Sequence, residues 1–320
     1  MLLVATTAIA VGVSPAGASP ASVHVESQAG SVEVSVEGRP AFSYASAPRV
    51  EGEAGPEFTR GGFLHPIRTP RGLLVSDAFS PVHAHQTGVF TAWTSTRFDG
   101  HEVDFWNIGK RLGRVEPVAV ERTWSGAESG GFVARHRHVD LAGGEPRPVL
   151  DEWWHVTVPR SRQDEPLVVD LDIRQACAGD LPLHLLEYRY GGFAFRGHAR
   201  WLDPAAVELL TSEALRDRIE INGTRVRWCA MSGPLEDGSD GAVGGLAILS
   251  HPSNFRAPQP VRVHPTMPMM CFAPVQLGAF DIRPGVPLVM RYRLVVFDGP
   301  ADAARLESLW SEFAGTQAER

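Results

Sequence analysis

Across residues 31–44 the sequence SVEVSVEGRPAFSY sets Val32, Val34 and Val36 against polar neighbours, turns at Gly38 and resumes as a second apolar run. Successive side chains of an extended backbone point to opposite faces, so the stretch reads as a β-hairpin with one buried side. Short runs of the same kind recur at 132–138, 152–158, 167–173, 193–195, 225–230, 246–249 and 288–297, each bounded by Gly, Pro, Asp or Ser. They do not alternate with helices and no glycine-rich phosphate loop accompanies them. The pattern therefore predicts an all-β fold, an antiparallel β-sandwich. Helical spacing is clearest in 300–314, where Leu306, Leu309, Trp310 and Phe313 share one face, Pro300 suits the first turn and Gly315 follows the end. That helix is expected to pack on the sandwich. A second helix is expected around 204–215. No repeat and no Ser- or Gly-rich linker divides the chain, so residues 23–320 read as one domain.

Composition narrows the class of partner. Hydrophobic residues make up 43% of the chain, ample for a core, and 30 Lys+Arg against 37 Asp+Glu leave a formal net charge of -7. That balance argues against nucleic acid or an anionic membrane as the main partner and for a small molecule or an oligosaccharide. Residues 1–18 form an apolar leader closing on Ala16-Gly17-Ala18, the pattern of a signal peptide and its cleavage site, although a basic n-region is missing. Export follows, to a secreted or periplasmic location. No later stretch approaches the ~20 apolar residues of a membrane span. Cys177, Cys229 and Cys271 are too few and too far apart for a disulfide framework; one bridge with a free thiol and three thiols both fit.

Several polar blocks stand apart from the strand pattern. His65-Pro66 precedes a Thr69-Pro70-Arg71-Gly72 turn, and His83-x-His85 lies ahead of Gly88 and Trp93. Val103-Asp104-Phe105-Trp106, Tyr190-Gly191-Gly192-Phe193 with Phe195-Arg196, and Thr211-Ser212-Glu213 with Arg216-Asp217 follow. Trp228, Ser232-Gly233 and His251-Pro252-x-Asn254-x-Arg256 complete the set. Together these blocks resemble a secreted domain-of-unknown-function family often labelled "methane oxygenase PmoA". The resemblance spans about 63–297. It implies a β-rich extracytoplasmic fold, similar to the galactose-mutarotase supersandwich, in organisms that process plant or algal sugars. It does not imply a methane monooxygenase, which needs several membrane spans. The chain departs from the family pattern at Gln86-Thr87, where a further His and an Arg are expected, and at Val261-Arg262, where a Trp-His pair is expected.

The chemistry that fits is that of a carbohydrate-active enzyme working on a sugar or glycoside by paired proton transfer, with His and a carboxylate as partners. His65, His83, His85 and His251 are the candidate proton-handling groups, and Asp104 or Glu187 the carboxylate. Arg196, Asn254 and Arg256 suit oxygens of a ligand. Trp93, Trp106 and Tyr190 offer ring faces to a sugar, or pack in the core. In an extended chain the rings of His83 and His85 leave the same side, so the pair could also hold a divalent metal, with a third ligand from His65, His251, His264 or Asp104. A non-catalytic carbohydrate-binding sandwich is the third reading. His65, His83, His85, His251, Asn254 and Arg256 are expected to meet in one pocket. For the leader, N-terminal sequencing of protein from its native host is expected to give a chain starting just after Ala18; a chain starting at Met1 and recovered from the cytosol overturns export.

Overall fold

The computed structural model describes residues 22–235 and 241–316. The leader expected over residues 1–18 lies outside the described residues. Antiparallel strands dominate, in two large sheets and a small one. The nine-stranded sheet runs, edge to edge, through Val23–Gln28, Ser31–Val36, Arg39–Ala45, Leu64–Ile67, Val89–Ala92, Gly192–Arg196, Met269–Phe272, Gln259–Val263 and Arg225–Val226. The eight-stranded sheet runs through Glu208–Thr211, Trp228–Pro234, Val243–Ser250, Leu288–Asp298, Leu167–Cys177, Arg147–Pro159, Ser129–Asp140 and Gly113–Trp124. Phe280–Ile282, Leu183–Leu185, Thr96–Phe98 and His101–Val103 make the small sheet. The expected all-β sandwich is what forms.

Period-two alternation assigns the faces. In the eight-stranded sheet, Leu209, Cys229, Met231, Leu246, Ile248, Leu294 and Val296 join the main core. Their neighbours Leu210, Trp228, Ala230, Ala247, Leu249 and Val295 turn to the other side and bury Leu306 and Phe313 of the C-terminal helix. That helix is Ala303–Ala314, three residues shorter at its start than expected. Asp302 supplies the cap, its side chain accepting from the backbone N–H groups of Ala304 and Arg305, so Pro300 lies before the first turn. The helix expected around 204–215 does not form. Pro204–Ala206 is one short 3-10 turn, and Glu208–Thr211 is an edge strand paired with Cys229–Ser232, which buries Leu209 and Leu210 on opposite faces. The long strand Gly113–Trp124 escaped the sequence reading because it is an outer edge with few buried positions.

Between the large sheets the core is aromatic and contains one ionised group. Phe193 stacks on Tyr292 at 4.3 Å across the interface. Glu152, with no exposure, accepts from Thr91 Oγ1 (2.7 Å), His136 Nδ1 (2.8 Å) and Trp154 Nε1 (2.7 Å) on one oxygen. His138 Nε2 (3.3 Å) and the Gln175 amide donate to its other oxygen. Since His136 Nδ1 donates, its Nε2 is free to accept the Tyr44 hydroxyl at 2.7 Å, and Trp93 Nε1 donates to Gln175 at 2.8 Å. Burial opposes ionisation of Glu152, but the bonds from His136 and His138 outweigh it and hold the carboxyl well below its ordinary range. All three cysteines are free, and burial pushes the thiols of Cys229 and Cys271 up to about 12. Among the described residues no helix is long and apolar enough to cross a membrane.

The buried carboxylate generates a stability prediction. Truncation strands several buried donors, so Glu152→Ala is expected to lower the free energy of unfolding by about 3–5 kcal/mol, read as a fall in the urea midpoint. Because its folded pKa is depressed, the stabilisation from Glu152 is present above the unfolded value of about 4.3 and drains away as the pH falls below it. The wild-type midpoint should therefore drop more steeply than that of Glu152→Gln under acid conditions.

Candidate functional site

The same alternation builds a floor on the outer side of the nine-stranded sheet. Val89, Thr91, Phe193, Met270 and Phe272 face the core, so their neighbours Phe90, Ala194, Arg196, Met269 and Cys271 face outward. Arg262 sits opposite Cys271 on the adjoining strand and shares that side. Four loop segments close over this floor and leave a cleft of about 210 Å³ lined by His83, His85, Gln86, Trp106, Asn107, Arg189, Tyr190, Arg262, His264, Pro265 and Met269.

The first wall is the loop carrying His83 and His85. It is not a strand: His83 is in the left-handed region at φ 63, and Gln86 N–H closes a turn onto His83 C=O at 3.0 Å. The expectation of an extended His-x-His is therefore corrected, and the rings meet for a different reason. The turn brings their centroids to 5.3 Å, edge to face, and His264 from the 264–265 segment meets His83 at 5.4 Å in the same way. Arg60 secures this loop, donating to His85 C=O at 3.2 Å while its guanidinium covers the Phe90 ring at 4.8 Å.

The second wall depends on Asp104. Its carboxylate accepts from the backbone N–H groups of Trp106 and Asn107, from the Asn107 amide at 2.8 Å and from Lys110 Nζ at 2.9 Å. Burial resists its charge, yet these bonds from Asn107 and Lys110 prevail and keep its pKa below the usual value. Asp104 thus shapes the turn that presents Trp106 and Asn107, and does not itself line the cleft. Trp106 packs between Phe90 (4.9 Å) and Tyr190 (5.1 Å), and Asn107 hydrogen-bonds the Tyr190 hydroxyl at 3.3 Å. The third wall is the segment carrying Arg189 and Tyr190.

The electrostatics of the cleft are cationic. His85 is lowered to about 4 by burial, then by His83, Arg60 and Arg196, with Asp104 opposing. His264 is lowered to about 4 by burial, then by His83, Arg262, Arg196 and Arg218. His83 is lowered by burial and by Arg196. All three rings are neutral near pH 7, each able to donate from one nitrogen and accept at the other. Arg196 is wholly buried beneath them, donating to Gln86 Oε1 at 3.1 Å and meeting Asp77 only at 3.5 Å.

The other expected residues lie elsewhere. His65 turns to Ser76 Oγ at 2.8 Å. His251 binds Arg291 Nη1 at 2.9 Å and meets Phe313 of the C-terminal helix edge to face, on the outer side of the other sheet. Asn254 ties Ser250 to the Arg291 backbone, and Arg256 donates to Pro274, Gly278 and Ala279 carbonyls. These three stitch loops together. The single pocket expected from all six residues does not form, because the 251–256 turn is consumed by backbone partners of its own. Trp93 is in the core, and Glu187 is exposed near the third wall without lining the cleft. Arg189 and Arg262 were missed, and Arg262 carried a signal: it interrupts Val261 and Val263 as the outward residue of a central strand. Among the described residues no group of three His, Cys, Asp or Glu is placed to hold a metal ion.

Proton NMR tests this electrostatic picture. The ring resonances of His85 and His264 are expected to hold their neutral positions from about pH 8 down to about pH 5.5, below the ordinary midpoint near 6.5. Arg262→Gln removes a repelling charge, so the His264 midpoint should move upward.

Similarity to known proteins is limited. The chain is similar to the crystal structure of the heparan sulfate lyase HepC from Pedobacter heparinus, at 10% identity and a TM-score of 0.34, over 85% of this chain and 34% of the lyase. A mutant of that lyase aligns at 10% identity and a TM-score of 0.32, over 88% and 35% respectively. The chain spans about a third of the length of these lyases. No curated protein matches the sequence. Residues 31–311 match a family of unknown function (DUF6807), and the chain belongs to that family.

Proposed function

We propose that the protein is an exported carbohydrate-active enzyme whose proton transfers are made by imidazoles in the cleft over the nine-stranded sheet. The observation that carries this reading is the meeting of His83, His85 and His264, three neutral rings from two distant segments, at one small opening. A neutral imidazole takes a proton as a base and returns it as an acid, and rings in contact can divide those roles. His83, the most exposed of the three, is the base, and His264 beside it is the acid. Asp104 acts behind His85, its charge favouring the protonated ring and its bonds fixing Trp106 and Asn107.

The lining suits a sugar. Tyr190 offers part of a ring face, and the Asn107 and Gln86 amides match hydroxyl groups. At about 210 Å³ the cleft is smaller than the ~300–1,000 Å³ pockets that enclose drug-sized ligands, so it takes one ring or one chain end. No carboxylate lines it among the described residues, so the pair of facing carboxylates used by most glycosidases is replaced here by imidazoles. The leader ending at Ala16-Gly17-Ala18 supports a place outside the cytoplasm.

Turnover of plant and algal oligosaccharides, followed by mass spectrometry, tests the reading. His83→Asn and His264→Ala are each expected to cut kcat by about 10²–10⁴-fold while circular dichroism stays unchanged. Saturable sugar binding with no turnover would make the protein a binding module instead. A stoichiometric divalent ion, lost together with activity in the His83→Ala/His85→Ala double variant, would make it a metalloenzyme.

A further inference from the structure

We infer that the sugar this cleft recognises is acidic, its carboxylate gripped by Arg262 and Arg189. The inference rests on the sugar-enzyme reading above and adds the class of substrate. Its first ground is local charge. The whole chain carries a net charge of -7, yet the residues lining the cleft include two guanidinium groups and no Asp or Glu, and Arg196 lies directly beneath. A cleft of one sign set in a protein of the other concentrates a counter-charged ligand.

Unused hydrogen-bonding capacity is the second ground. Buried donors are almost always paired, and those of a cation cost the most when they are not. The Nε atoms of Arg196 and Arg262 are buried without a hydrogen-bond partner, as are those of Arg49, Arg60, Arg135 and Arg227, so the capacity a ligand can reach lies on Arg262 Nη2 and on the Arg189 guanidinium, which make no hydrogen bond among the described residues. Arg262 spends one Nη on Asn222 Oδ1 at 3.0 Å. Arg189 stands over the Tyr188 and Tyr190 rings at 5.6 and 5.7 Å, which steers the guanidinium along the wall that Tyr190 forms. A planar carboxylate accepts two parallel bonds from such a fork, a geometry that hydroxyl groups do not reproduce.

The position of the neutral rings agrees with this. His264 follows Arg262 by two residues, and the charges of Arg262 and Arg196 both act on it. A carboxylate seated on Arg262 would therefore place the rest of its sugar ring against His264 and His83, where the proton transfers are assigned.

Isothermal titration calorimetry on the intact protein tests the inference, with D-glucuronate, D-glucose, D-glucose 6-sulfate and inorganic sulfate as probes. Glucuronate is expected to bind at least about tenfold tighter than glucose, and Arg262→Gln and Arg189→Gln should each shrink that ratio. Arg189 is exposed and Arg262 half-buried, and an unchanged circular dichroism spectrum is the check that both variants keep the fold. Equal affinity for glucose and glucuronate overturns the acidic-sugar inference and leaves the enzyme reading standing. Tighter binding of glucose 6-sulfate overturns the carboxylate. Inorganic sulfate binding as well as glucuronate, or no binding by any probe, overturns the inference, and turnover of neutral oligosaccharides in the separate assay then shows whether the enzyme reading survives. A glucuronate preference untouched in both variants removes the assignment to Arg262 and Arg189.

Discussion

A carboxylate with no path to water, Glu152, decides how the two large sheets meet. Burying such an ion costs several kcal/mol after relaxation, and only a complete set of donors offsets it. Here the donors come from four strands: Thr91 from the nine-stranded sheet, His136, Trp154 and Gln175 with His138 from the eight-stranded one. A slip of one residue in any of these strands would turn its donor to the opposite face. The apolar core around the network accepts many packings of similar volume, whereas the carboxylate accepts one.

That constraint reaches the cleft through a single strand. Thr91 points inward to Glu152, and its neighbour Phe90 points outward beneath Arg60 and Trp106. Core network and cleft floor are thus two sides of the same four residues, Val89–Ala92. Two of the walls are loops each held by one dominant polar anchor: Arg60 for the His83–His85 turn and Asp104 for the Trp106–Asn107 turn. Functional groups placed on loops over a central stretch of sheet combine adjustable contacts with a fixed base.

Much of the scaffold was legible because period-two burial leaves a direct trace: Val32, Val34 and Val36 appear in the core as their spacing demands. The polar heart of the sandwich left a subtler one. His136, His138 and Glu152 occupy the same phase as Phe132, Ala134, Leu150 and Trp154, and polar residues in an apolar phase mark a buried network. Viewed singly, His136 and His138 read as surface or satisfied structural histidines, and structural is what they are, both bonded to Glu152. For the site, His83, His85, Trp106 and Tyr190 were legible as an unusual cluster of types. The partnership of His83 with His264 was not distinguishable from one with His251, because which distant turn comes near depends on sheet order, and sheet order is a long-range property. Pro252 marked a real turn, but one whose polar groups, on Asn254 and Arg256, hold the scaffold together.

The left-handed backbone at His83 separates two demands that most positions confound. Glycine adopts that conformation freely, other residues adopt it at a cost, and asparagine, aspartate and histidine pay less than most. If the loop needed only its bend, glycine would be the cheapest occupant of this position. A histidine there bears a smaller cost than most side chains and brings a ring that the bend itself does not require. Among relatives that keep the same loop length, the residue found at this one position therefore reports whether the imidazole is in use, and members that have given up the chemistry should drift toward glycine or asparagine while the fold around them stays the same.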